Sequence, residues 1–87
     1  MSAVVFENGE FSVDAAEIAK GLRMLPTQVL TGMRHRRITS LCERGIDEDA
    51  GRYRLTFFYR RRQFCLVVDE AGNILERRIE THRHKRS

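Results

Sequence analysis

Arginine is the residue type in this chain that most suggests a chemical role. Of the sixteen basic side chains among 87 residues, fourteen are arginine. The guanidinium fork binds phosphate and carboxylate groups through paired hydrogen bonds, so clustered arginines are typical of anion-binding surfaces. A bias in genomic base composition is the ordinary alternative. The cations that the chain could gather into one surface are Arg34, Arg36, Arg37, Arg60, Arg61, Arg62, Arg83, Lys85 and Arg86.

Side-chain patterns typical of enzymes are missing from the sequence. It has no glycine-rich phosphate loop, no Gly-x-Ser-x-Gly and no His-Glu-x-x-His. Five carboxylates fall in predicted turns, where solvated acids are the norm: Asp47, Glu48, Asp49, Asp69 and Glu70. We therefore expect no enzymatic activity and no cofactor, and no small-molecule substrate is evident.

Metal and disulfide chemistry have little support. His82 and His84 could together hold a transition metal weakly, but two residues near a chain end are more simply incidental. Cys42 and Cys65 are too few for a disulfide framework. We expect no metal site and two reduced cysteines in or beside the core.

Composition predicts one globular domain. Hydrophobic residues make up 41% of the chain and charged residues 32%. The net charge is +4. Without the three cations after Thr81, the chain has thirteen basic and twelve acidic residues. No apolar run reaches the roughly 20 residues of a membrane span, and no signal peptide is recognisable. We expect a compact domain over residues 1–80, a basic disordered tail over 81–87, and a cytoplasmic protein without membrane contact.

The hydrophobic centre of the sequence is RYRLTFFYRRRQFCLVV, residues 52–68. It predicts two strands joined by a tight turn with Arg61 and Arg62 as the loop. This loop implies cross-strand pairs of Tyr59 with Phe64, Phe57 with Leu66, and Leu55 with Val68. All six side chains then share one face, because side chains alternate along a strand.

The remaining patterns complete an α+β fold. Asn8-Gly9 between apolar runs predicts an N-terminal β-hairpin. Helical spacing of apolar residues, a capping Asp14 and the single proline, Pro26, predict helices at about 15–23 and 26–35. Glu17 is the expected capping-box partner of Asp14, and the buried side of the second helix should carry Val29, Leu30 and Met33. Alternating segments predict a four-stranded antiparallel meander at about 38–46, 52–60, 63–69 and 74–80, with the helices on one face.

The helix pair resembles a helix-turn-helix only in part. Ala19 and Val29 suit the small and apolar positions of such a motif. Arg23 stands where the motif prefers glycine, and Gly32 stands at a later apolar position. DNA reading by these helices is the weaker interpretation, and a helical hairpin packed on a sheet is the stronger one.

The predicted connectivity separates the charges. Successive turns of an antiparallel meander alternate between the two ends of the sheet. The arginines before the first strand, those of the central turn and the basic tail should therefore lie at one end. The acidic turns at residues 47–49 and 69–70 should lie at the other. The best interpretation is a small non-enzymatic binding or regulatory module whose basic end contacts an anionic partner. Nucleic acid is the first candidate, and an acidic protein is the other.

The opposite face of the central hairpin supports an alternative. Phe58 and Val67 would form an apolar pair on a strand face that is otherwise polar. Exposed apolar patches often mark interfaces. The alternative is a protein-interaction module or homodimer that uses this face and binds no nucleic acid.

Three segments resemble a known family. ITSLCERG (38–45), DEDAGRYRLTFFY (47–59) and LVVDEAGNILER (66–77) look like a small bacterial domain family of uncharacterised function. The likeness covers about residues 4–80. It implies one compact domain and carries over no activity, ligand, partner or functional residue.

Overall fold

The computed structural model describes residues 4–45 and 47–81, except the side chains of Asp49 and Thr81. The elements in chain order are β1 (Val4–Glu7), β2 (Glu10–Val13), α1 (Ala15–Leu22), α2 (Pro26–Arg34), β3 (Ile38–Arg44), a 3₁₀ turn (Asp47–Asp49), β4 (Arg52–Tyr59), β5 (Arg62–Asp69) and β6 (Ile74–Thr81). The strands form a β1–β2 hairpin and an antiparallel β3–β4–β5–β6 sheet. The predicted α+β fold is confirmed.

The register of the central hairpin differs from the predicted one by two residues. Phe57 lies opposite Phe64, not Leu66, and Tyr59 lies opposite Arg62. The loop is therefore Arg60–Arg61, and Arg60 has the positive φ, 56°, that tight hairpin turns require. A two-residue shift keeps every side chain on its predicted face, because the strand period is two. The face pattern alone could not distinguish the two registers.

Helix α1 packs on the sheet through its apolar stripe. Ile18, Ala19 and Leu22 are buried, and the helix contacts β5. A Cβ atom on Gly21 would lie only 2.2 Å from the ring of Phe64, so the helix backbone rests directly on that ring. We call the sheet face under the helices the inner face and the opposite one the outer face.

Helix α2 is less buried than its sequence predicted. Val29 is fully buried and Gly32 rests on Ile38 of β3. Leu30 and Met33, expected on the buried side, are 55% and 36% exposed. The reason is that, of the sheet strands, α2 packs mainly against the edge strand β3, so its contact surface is narrow.

The β1–β2 hairpin covers part of the inner face. Val4 is buried, and its carbonyl lies 2.5 Å from where a Cβ atom on Gly72 would be. Phe6 and Phe11 pack with Tyr53 of β4, with centroid distances of 6.1 Å and 4.8 Å to the Tyr53 ring. The hairpin therefore lies at the end of the sheet that carries the β5–β6 turn.

A buried carboxylate joins α1 to the edge strand β6. Glu17, expected to close a capping box, instead accepts a 2.6 Å hydrogen bond from Nε of Arg77. The Glu17 side chain is only 6% exposed, and Lys20 lies 3.8 Å from its other oxygen. The hydrogen bond and charge of Glu17 raise the pKa of Arg77. The helix N-terminus is capped by Asp14 alone, which accepts from the Ala16 N–H.

Removing Arg77 should destabilise the domain clearly more than removing its neighbour Arg78. Among the described residues, Arg77→Met leaves the buried Glu17 carboxylate with only the exposed Lys20 at 3.8 Å, whereas Arg78→Met leaves unpaired a Glu76 carboxylate that is 48% exposed to water. Urea unfolding at neutral pH measures both. The two arginines are similarly exposed and make bonds of equal length, 2.6 Å, so equal midpoints would contradict the buried pair. Adding Glu17→Gln to Arg77→Met should restore part of the loss.

Candidate functional site

Arginines from two connections meet at one end of the sheet. Ile38 pairs with Tyr59, so Arg37 and Arg60 flank the same residue pair. The Arg60 guanidinium lies over the Tyr59 ring, 5.3 Å from its centroid. We call this region the basic end and define it as the exposed residues Arg34, Arg36, Arg37, Arg60 and Arg61.

Arg62 belongs to the same region but has a structural role. Its guanidinium donates to the Leu22 carbonyl at 2.7 Å and lies 3.5 Å from the Arg23 carbonyl. These carbonyls close α1, and the last carbonyls of a helix have no partner within it. Arg62 therefore caps α1 from the sheet. It is the first residue of β5, opposite Tyr59, and not a loop residue as the predicted register had it.

Arg23 was missed by the sequence analysis and lies beside Arg62. It is exposed, ends α1 and has a φ of 61°, the left-handed conformation that favours glycine. The sequence contained a signal for this helix end, because the first helix must end between Leu22 and Pro26, where the second helix begins. The comparison with helix-turn-helix motifs counted Arg23 only as a mismatch.

The basic tail lies outside the described residues. Arg83, Lys85 and Arg86 belong to it, as do His82 and His84. Thr81 pairs with Arg62, so β6 ends at the basic end of the sheet.

The opposite end of the sheet carries the acidic turns. Asp47 and Glu48 are exposed, and the turn is closed by Gly45, which donates to the Arg52 carbonyl at 2.8 Å. In the β5–β6 turn, Asp69 accepts hydrogen bonds from the Asn73 side chain and from the backbone N–H groups of Asn73 and Ala71. These hydrogen bonds lower the pKa of Asp69, and the one from the Asn73 side-chain amide has the largest effect. Asp69 therefore shapes its turn.

Phe58 and Val67 lie on the outer face, and both are half-buried. Between them are the buried Thr56 and Cys65, whose Oγ1 and Sγ atoms are 3.8 Å apart. The face also carries the exposed ion pairs Glu43–Arg54 and Glu76–Arg78. Leu41 is 48% exposed on this face, and charged side chains surround these apolar residues.

A large apolar cavity opens on the inner face beside β3. Its volume is about 820 Å³. The helices cover this strand only at Ile38, and the rest of its inner side is exposed. The main lining residues are Phe6, Phe11, Met33, Cys42, Arg44 and Tyr53. Sequence analysis had no signal for this cavity, because it is formed by the hairpin, α2 and β3 together.

The two cysteines lie on opposite faces of the sheet. Cys42 is exposed on the inner face of β3, and Cys65 is buried on the outer face of β5. Within residues 4–45 and 47–81, no three His, Cys, Asp or Glu side chains are placed to hold a metal ion. No helix in this part of the chain is long and apolar enough to span a membrane.

Comparison with known proteins gives a family and no activity. No curated protein and no solved structure matches the chain. A model described as a family of unknown function matches residues 1–87. This agrees with the resemblance to a small domain of unknown function found in the sequence. The chain thus belongs to the family of unknown function DUF6522.

Proposed function

We propose that this protein is a non-enzymatic cytoplasmic binding module whose basic end contacts the phosphates of a nucleic acid. The observation that carries the proposal is the convergence of exposed arginines from the α2–β3 connection and the β4–β5 turn at one end of the sheet. Arg23 adds a further exposed cation beside them. Phosphate contacts of this kind position a protein on nucleic acid without reading base sequence.

The arginines of the basic end are available for a partner. Among the described residues, Arg34, Arg36, Arg37 and Arg61 have no carboxylate within 4.0 Å. The described ion pairs of Arg54 and Arg78 lie instead on the outer face. Unpaired like charges at one end repel each other, and an anionic partner relieves that repulsion.

A polar cleft adjoins the basic end. Its volume is about 230 Å³, and it is lined by Thr27, Gln28, Thr31, Arg37 and Tyr59, among others. Hydroxyl and amide groups beside an arginine suit phosphate and sugar oxygens. The aromatic ring offers a stacking surface, although Arg60 lies over one side of it.

The salt dependence of binding to a labelled oligonucleotide tests this proposal. For B-DNA, log K should fall against log salt with a slope of about −0.9 for each phosphate contact. The variant Arg37→Gln with Arg61→Gln removes two contacts, so it should weaken binding similarly for all sequences and flatten the slope by about 2. Arg62 is kept intact because it caps α1.

The matched control is Arg54→Gln with Arg78→Gln, which removes the same charge from the outer face. This variant should bind nearly as tightly as the unmodified protein. Equal weakening by both variants would show that only net charge matters and would contradict a defined basic end. Absence of binding at low salt would refute the nucleic-acid proposal altogether.

The alternative is a protein-interaction module or homodimer that uses the outer face. The exposed Leu41 and the half-buried Phe58 and Val67 support it. A salt-insensitive solution mass of twice 10.2 kDa would favour this alternative. Salt-dependent binding to nucleic acid by a single chain would favour the basic end.

A further inference from the structure

We propose that the cavity beside β3 binds a small organic carboxylate with an apolar body, and that Arg44 binds the carboxylate. We call this cavity the inner cavity. Its volume of about 820 Å³ falls within the range of roughly 300–1,000 Å³ typical of small-molecule sites. None of the five arginines of the basic end lines the inner cavity, so this site differs from the surface proposed for nucleic acid.

The walls of the inner cavity suit an apolar body. The rings of Phe6 and Phe11 lie 4.6 Å apart, and the Tyr53 ring lies 4.8 Å from that of Phe11. Ile18 and Met33 contribute aliphatic surface from the helices. Aromatic walls of this kind stabilise a flat ring or an alkyl chain by burying its surface.

Arg44 supplies the charge. It lies opposite Tyr53 across the β3–β4 pair, so both side chains project from the inner face next to each other. Within the described part of the chain, no carboxylate lies within 4.0 Å of the Arg44 guanidinium. A guanidinium is always protonated and can bind both oxygens of a carboxylate.

Glu10 restricts where that carboxylate can lie. It also lines the inner cavity and is the acidic residue among those that line it. A ligand anion placed against Glu10 would be repelled. The ligand carboxylate should therefore lie against Arg44, with its apolar body between the aromatic rings and Met33.

Cys42 provides a direct readout, because it lines the cavity and is exposed while Cys65 is buried. The experiment measures the rate at which neutral iodoacetamide labels Cys42, with the labelled residue located by peptide mass spectrometry. Naphthylacetate and the neutral naphthylethanol share one apolar body and differ in charge. Naphthylacetate should slow labelling, and the alcohol should need a concentration about tenfold higher for the same protection, a difference of about 1.4 kcal/mol.

Arg44→Met tests the assigned residue, because it keeps an unbranched, flexible side chain about as long as the arginine alkyl stem and removes the charged guanidinium. This variant should protect Cys42 equally well with both compounds, at the concentration that the alcohol needs in the unmodified protein. Arg61→Met, which removes a charge at the basic end, should keep the tenfold preference. Absence of protection, equal protection by both compounds in the unmodified protein, or an undiminished preference in Arg44→Met would each overturn the proposal.

Discussion

Replacing Phe64 by alanine is expected to destabilise the domain by about 3–5 kcal/mol, the range for truncating a buried aromatic ring. Phe64 is 1% exposed, and its ring stacks on that of Phe57 with centroids 6.3 Å apart. On the helix side, the α1 backbone at Gly21 packs directly against the Phe64 ring. The alanine variant leaves a cavity between the Phe57 ring and the α1 backbone at Gly21. Such a loss approaches the whole stability of a small domain.

The matched control for this prediction is Phe58→Ala, which removes the same side chain from the outer face. Phe58 is only half-buried, so its truncation should cost clearly less. Urea unfolding followed by circular dichroism gives both free energies. If Phe58→Ala costs as much as Phe64→Ala, the outer face is covered in solution, as the homodimer alternative requires, and the solution mass should then decrease in that variant.

Replacing Gly21 by alanine is expected to destabilise the domain by about 1–3 kcal/mol, as overpacking does in a filled core. Alanine would ordinarily strengthen a helix by about 1 kcal/mol over glycine, so the sign of the effect tests the packing. The new methyl group would lie 2.2–2.5 Å from three atoms of the Phe64 ring. That ring is buried and cannot swing aside. Thermal unfolding of the variant measures the loss.

A double variant identifies the cause of this loss. With Phe64→Leu the flat ring is gone, so adding Gly21→Ala should cost clearly less than it does with Phe64 present. Gly32→Ala is the matched glycine control in α2. Its methyl group would lie 2.7 Å from Cδ1 and 2.9 Å from Cγ1 of Ile38, an aliphatic side chain with rotatable bonds where Phe64 has a rigid ring, so we expect a smaller loss. A stabilised Gly21→Ala variant would contradict the close approach of α1 to β5.

Local patterns in the sequence were enough to predict the elements. Alternation placed Phe57 and Phe64 on the buried face, and Asn8-Gly9 predicted the hairpin that forms at that position. Alternation could not settle the register, because a shift of two residues leaves every face unchanged. The roles of Glu17 and Arg62 were also missed, since each has its main partner in a distant element, β6 for Glu17 and the end of α1 for Arg62.

The sequence by itself determined the fold class and the strand order. Those properties follow from periodicity, turn residues and the alternating ends of a meander, all of which are local or topological. Only the tertiary structure decided which charges are used internally and where the sheet stays uncovered. The sequence does not distinguish Arg61 from Arg62. Only the structure shows that the Arg62 guanidinium has a carbonyl within hydrogen-bond distance. The inner cavity likewise exists only because two short helices and a hairpin leave most of the inner side of β3 exposed.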